Sequence, residues 1–228
     1  MNTKHKIMRM FVDANNFHSI TNELFGEKTK VDLYKLFLDV RDYFQEHHYK
    51  CYFDKAYYYS ALSIREDNPA LYDEHKRFLA FIEKIPFIKV VCGFLAKRPY
   101  HKNIPINIED SSTYFHIEKE TDVNLSNEML ESAFKKEYDV GLLFAADGDY
   151  SDTLVRLREY PVEIYVVLPE GAPSSRLQSV VGKNKIIRLP KEFFKVLNKP
   201  NEIVKFEVQN NDECKEKEHI STSHENGS

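Results

Sequence analysis

The sequence predicts an α/β fold: a mainly parallel sheet with helices on both faces, in one domain over residues 1–200. Three observations predict it. Short apolar runs alternate along the chain with longer segments whose apolar residues recur at helical spacing. Runs such as 140–146 (VGLLFAA) are continuous rather than alternating, as in strands buried on both faces. A length of 228 residues suffices for one sizeable core.

Taken in order, residues 6–12 (KIMRMFV) read as a first strand ending at Asp13-Ala14-Asn15-Asn16. Residues 31–48 form a helix, with Leu33, Leu36, Phe37, Val40 and Phe44 on one stripe. Residues 50–59 (KCYFDKAYYY) form an aromatic second strand, which is either core or the surface of a homodimer. After a polar loop, residues 70–85 form a helix with Leu71, His75, Phe78, Leu79 and Ile82 inward, and Pro86 breaks the run. Residues 87–95 are a third strand. Residues 96–115, with Pro99 and Pro105, read as a hairpin or an extended flap. Residues 121–136 are a helix with Thr121 as N-cap and Asp122 in its first turn. The strand at 140–146 and a helix to about residue 160 follow. Then come a strand at 162–168, a short helix at 174–181 and a last strand at 185–189, and residues 192–197 close the globule.

Composition excludes several classes. No apolar run approaches the roughly 18 residues of a membrane helix, and the N-terminus lacks a signal-peptide pattern, so a cytoplasmic protein with no membrane partner is expected. The three cysteines form no CxxC, which argues against a zinc knuckle or a disulfide framework; Cys51 and Cys92 are expected to be buried thiols. Residues 201–228 form an acidic polar tail predicted to be disordered. Its seven acids and three lysines account for the whole net charge of −4, leaving a neutral body that can still carry a local basic face.

The chemistry gathers at element ends. Asp13 follows the first strand, Asp122 opens a helix, and Asp147 and Asp149 follow the strand at 140–146. A parallel sheet collects the carboxyl ends of its strands on one edge, where ligands bind. Several carboxylates in one place repel unless a cation joins them. A hard divalent ion such as Mg²⁺ takes oxygen ligands and can activate a water against a phosphodiester. Taken alone, Asp147-Gly148-Asp149 reads equally well as a turn. A calcium loop does not fit, because Asp152 and Arg158 stand where Gly and Glu are needed. Lys97, Arg98 and Tyr100 sit in a basic stretch that would hold phosphates and stack on a base, or else form a solvated loop.

FVDANN, KETDV and LLFAADGDY together resemble the three motifs of the NYN-domain (LabA-like) family, within the PIN-like nuclease superfamily. The resemblance spans about residues 6–189. In that family an Asp with Asn three residues on ends the first strand, matching Asp13 and Asn16. A Lys three residues before an Asp opens a helix, matching Lys119 and Asp122. A Ser-Gly-Asp-x-Asp-Phe-like run is here Ala145-Ala146-Asp147-Gly148-Asp149-Tyr150. The resemblance implies a three-layer α/β/α PIN-like (Rossmannoid) fold and a metal-dependent endoribonuclease using Mg²⁺ or Mn²⁺ on single-stranded or structured RNA. Asp13, Asp122, Asp147 and Asp149 would be its catalytic and metal-binding acids. Asn16 and Lys119 would join Lys97, Arg98 and Tyr100 at the substrate. Ala145-Ala146 in place of Ser-Gly removes a hydroxyl, which motivates the alternative of a catalytically weak or inactive RNA-binding or protein-interaction module. A phosphatase of the haloacid-dehalogenase type is set aside, because Asn15 stands where its second Asp is needed.

Overall fold

The computed structural model describes residues 5–26, 31–101 and 105–194. In chain order the elements are β1 (Lys6–Asp13), α1 (Ala14–Phe25), α2 (Leu33–His47), β2 (Cys51–Leu62), α3 (Pro69–Ile82), β3 (Ile88–Pro99), β4 (Tyr114–Lys119), α4 (Thr121–Phe134), β5 (Val140–Phe144), α5 (Ser151–Leu157), β6 (Glu163–Pro169), α6 (Ser175–Val181) and β7 (Ile186–Leu189). Among the described residues the strands form one seven-stranded sheet in the order β4-β3-β2-β1-β5-β6-β7. Every pairing is parallel except β3 with β4. The acidic tail expected at 201–228 lies outside the described residues.

The chain lays β1, β2 and β3 outward in one direction, then returns and lays β5, β6 and β7 in the other. Parallel crossovers are right-handed, so reversing direction moves the connecting helices to the opposite face. Accordingly α2 and α3 pack on one face and α4, α5 and α6 on the other. Alternation along β1 serves both layers. Met8, Met10 and Val12 meet Leu36, Phe37, Val40 and Phe44 of α2, while Phe11 meets the layer of Leu125 and Met129 of α4 and Leu154 of α5. Each such side chain contributes roughly 1.5–3 kcal/mol by leaving water. The strand order reverses between β1 and β5, so the ligand crevice of an open α/β sheet falls at Asp13 and Asp147.

Several expectations are corrected. Asp13-Ala14-Asn15-Asn16 does not merely end a strand: Ala14 begins the twelve-residue helix α1 and Asp13 is its N-cap. Thr121 is the first helical residue of α4 rather than its cap; Glu120 precedes it in a left-handed conformation, φ 72°. Leu71 and Phe78 of α3 are exposed, whereas Leu79 and Ile82 are buried. Cys51 is buried but Cys92 is exposed, because β3 lies near the sheet edge and is covered less completely. In the aromatic strand Tyr57, Tyr58 and Tyr59 are buried and β2 is paired on both sides, so that half is core, while Tyr52 at its start is exposed.

The segment after residue 95 resolves as a hairpin arm. The last pair of β2 with β3 is Leu62 with Phe94, and beyond it β3 pairs only with β4. Asp13 is level with Tyr59, and Tyr59 with Val91. Phe94 therefore stands about 10 Å further along the strand direction, at about 3.3 Å per residue, and the arm rises as a wall beside the carboxyl edge. Asp67, in the turn before α3, fastens one face of this wall. It pairs with Lys97, accepts from Tyr114 at 3.2 Å and lies 2.6 Å from His116 Nε2.

Candidate active site

Asp13 is only 3% exposed and both its oxygens are engaged. Oδ1 accepts the Asn16 N–H at 3.0 Å, closing the first turn of α1, and Oδ2 accepts the Tyr150 hydroxyl at 2.9 Å. The same hydroxyl lies 3.1 Å from Oδ1 of Asp122, in the first turn of α4. Three elements thus converge: the end of β1, the start of α4 and the 3₁₀ turn Gly148–Tyr150 that follows β5. Burial first, and the two neighbouring carboxylates next, push the Tyr150 phenol far up and keep it protonated. One hydroxyl carries one proton, so it cannot donate fully to both carboxylates at once.

Asp147 caps the turn that delivers Tyr150: its Oδ1 accepts the Asp149 N–H at 2.9 Å. Asp149 points outward, its side chain 79% exposed, with Arg176 Nη1 at 3.7 Å. Asn16 ties the two strand ends together, its Oδ1 accepting the Ala146 N–H at 2.8 Å. That bond spans the point where strand order reverses. Asp152 is exposed in the first turn of α5.

The predicted substrate residues divide between two faces of the arm. Lys97 is committed to Asp67 and lies over the Tyr114 ring at 4.7 Å. Arg98 and Tyr100 are exposed. Lys119 ends β4 and leads through Glu120 and Thr121 to Asp122. Gly93 lets β3 pass the start of α4: a Cβ there would come within 2.4 Å of Thr121 Oγ1 and 2.6 Å of the Lys119 carbonyl oxygen.

The structure brings Asp13 and Asp122 together. Among the described residues no three His, Cys, Asp or Glu side chains form a group that could hold a metal as they stand, so Asp147 and Asp149 do not complete a protein-only cage. The donor set still fits a hard cation. Mg²⁺ commonly takes one or two carboxylates and fills its octahedron with waters and substrate phosphates. Two carboxylates held against one proton offer such a place.

Tyr150 is the residue that sequence reasoning missed. The signal was present: it stands where the family-like run has Phe, and a buried Tyr hydroxyl needs a partner. A second missed contact lies on the other face of β2, where His18 of α1 meets Tyr58, Nε2 to hydroxyl 2.6 Å. Burial, with a smaller contribution from His75, pushes the His18 pKa down to about 4.

A family model for the NYN domain matches residues 8–184. Among solved structures the chain is similar to the crystal structure of a protein of unknown function, VPA0982, from Vibrio parahaemolyticus RIMD 2210633. The TM-score is 0.56 and the identity 18%, over 86% of this chain and 100% of that one. At that identity the likeness speaks to the fold alone. No curated protein matches.

Proposed function

Because the chain belongs to the NYN-domain family, a nuclease-like family of the PIN-like superfamily, we propose that it is a metal-dependent endoribonuclease. The observation that supports this most is the convergence of Asp13 and Asp122 on Tyr150 where the strand order reverses. In this reading Asp13, Asp122 and Asp147 hold Mg²⁺ or Mn²⁺, and Asp149 completes its surroundings or positions the attacking water. When bound, such an ion supplies charge neutralisation at the phosphate and an activated water. Asn16 keeps the ends of β1 and β5 in register so that Asp13 and Asp147 face one phosphate. Lys119, Arg98 and Tyr100 engage the RNA, single-stranded or structured, while Lys97 acts through Asp67 by holding the arm upright. The water oxygen bonds to phosphorus, the bond from phosphorus to the leaving 3′ oxygen breaks, and the products are a 5′-phosphate and a 3′-hydroxyl. No bond to the protein forms. Among the described residues no helix is long and apolar enough to cross a membrane; the cytoplasm is the compartment proposed for this activity.

A second reading, a catalytically weak NYN-fold module that binds RNA or protein, is favoured by one contact: the Tyr150 hydroxyl already engages Asp13 and Asp122. Incubating labelled RNA with the protein in Mn²⁺, Mg²⁺ or chelator separates the two. Metal-dependent cleavage that disappears in Asp147→Asn supports the nuclease. Binding without cleavage in either metal supports the module, and undiminished cleavage by Asp147→Asn removes that residue from the site.

A further inference from the structure

The two faces of the β3–β4 arm differ in kind. One is fastened by Asp67 through Lys97, His116 and Tyr114. The other, among the described residues, sets rings and cations on either side of the small apolar pair Ala96 and Ile117. Directly opposite residues of an antiparallel pair share a face, so Phe94 stands beside Lys119 and Arg98 beside Phe115. Tyr100 continues the row: its N–H bonds to the Thr113 carbonyl oxygen at 3.2 Å, and its ring centroid lies 5.3 Å from that of Phe115. Phe94 is 48%, Phe115 40% and Tyr100 58% exposed. Three rings this open, with Arg98 exposed among them, are unlike a core face turned outward, where cations at alternate positions would be costly.

We propose that this face of the arm is a stacking platform for a single-stranded stretch of nucleic acid. Bases have apolar π-faces that stack on Phe94, Phe115 and Tyr100, and the phosphates between them meet Arg98 and Lys119. From Lys119 to Phe115 is four strand residues, about 14 Å at about 3.4 Å per residue, room for more than one base. Lys119 is also three residues before Asp122 in sequence. A rigid duplex keeps its bases stacked on each other and cannot use the rings, so the arm selects unpaired segments. The proposal deepens the nuclease reading by naming its substrate class as single-stranded RNA; the platform itself needs no cleavage.

The test measures binding in chelator, where hydrolysis cannot interfere. A fluorescently labelled single-stranded RNA of roughly ten nucleotides, its DNA counterpart and the matching RNA duplex are titrated against the full chain. Loss of one stacked base costs about five- to a hundredfold. The double variant Tyr100→Ala/Phe115→Ala should therefore weaken single-strand binding at least tenfold and leave duplex binding unchanged. The ring-preserving pair Tyr100→Phe/Phe115→Tyr should bind as the parent does. Arg98→Gln should reduce the salt dependence of log K by about one phosphate contact. All three substituted side chains are exposed, and thermal melts check that the variants fold. Parental affinity in the double variant overturns the platform, and so does an equal loss for single strand and duplex. Concentration-dependent self-association that the double variant abolishes also overturns it, assigning the face to a protein contact. RNA and DNA binding equally keeps the platform and removes the RNA preference. Binding that obeys these expectations without cleavage in Mn²⁺ keeps the platform and removes the nuclease; cleavage with variant-insensitive affinity does the reverse.

Discussion

Tyr150 donates its hydroxyl to Asp13 at 2.9 Å, across 137 positions of sequence and from the far side of the point where strand order reverses. The bond joins the turn after β5 to the end of β1, and Asp122 of α4 shares it at 3.1 Å. A hydrogen bond to a charged group contributes roughly 1.5–3 kcal/mol. Tyr150→Phe keeps the ring in its core and removes only the donor. It should lower the stability of the metal-free protein by about 2 kcal/mol, a fall of roughly 4–8 °C in Tm for a chain of this size. Two carboxylates that lose their shared proton should then gain more from a divalent cation, so Mn²⁺ should raise the variant's Tm more than the parent's. Melting both proteins with and without Mn²⁺ checks this; equal shifts would mean the hydroxyl and the cation do not act on the same carboxylates.

Asp13 serves the fold and the proposed chemistry with different oxygens, and two substitutions separate them. Asn is as good a helix cap as Asp, so Asp13→Asn keeps the bond to the Asn16 N–H while removing the charge. It replaces the Oδ2 that accepts the Tyr150 hydroxyl with a donor, so it should cost about 1–2 kcal/mol and abolish metal-dependent cleavage. Asp13→Ala loses the cap as well and should cost about 1–2 kcal/mol more. Denaturant unfolding of the two variants, beside RNA cleavage in Mn²⁺, distinguishes them. An active Asp13→Asn protein would reduce Asp13 to a cap.

How much of this was legible in the sequence follows from what each element depends on. β1 and β5 declared themselves because strands buried on both faces are apolar throughout, and their positions in the alternation put Asp13 and Asp147 on one edge. α1 was silent. ANNFHSITNELF holds three Asn with one each of Ser, Thr and His, all weak helix formers. It is helical because Asp13 caps it and because Phe17 and Ile20 pack into the two core layers. The arm was ambiguous because β3 and β4 are separated by a long connection, and Pro99 sits where β3 meets only β4. Tyr150 escaped because motif spacing records carboxylates, whereas its role arises from where α4 and β1 meet.

Gly93 tests how closely β3 must pass α4. A Cβ at this position would lie 2.6 Å from a backbone carbonyl oxygen, that of Lys119, as well as 2.4 Å from Thr121 Oγ1. Backbone yields less readily than the end of a flexible side chain. Gly93→Ala should therefore destabilise the protein by about 1–3 kcal/mol, as overpacking does. It should also displace the base of the arm relative to Asp122, raising hydrogen exchange along β4. Denaturation midpoints and exchange of the β4 amides measure both effects; a neutral substitution would show that the start of α4 can move aside without cost.

His18 sets a pH dependence whose sign can be worked out. Its pKa is 6.5 unperturbed and about 4 in the fold, because burial disfavours the imidazolium and His75 lies nearby. Between those values the unfolded chain binds a proton that the folded chain does not, so stability falls as pH drops from about 6.5 to about 4. The full shift corresponds to an upper limit of about 3 kcal/mol. His75 and His48 are pushed down as well, chiefly by burial, and act with the same sign. Urea unfolding of the parent at several pH values should show this loss. His18→Gln preserves a hydrogen-bonding side chain toward the Tyr58 hydroxyl and cannot titrate. Its stability should decline less steeply over the same window. Parallel declines in the two proteins would place the acid sensitivity elsewhere, in His75 and His48 rather than at the α1–β2 contact.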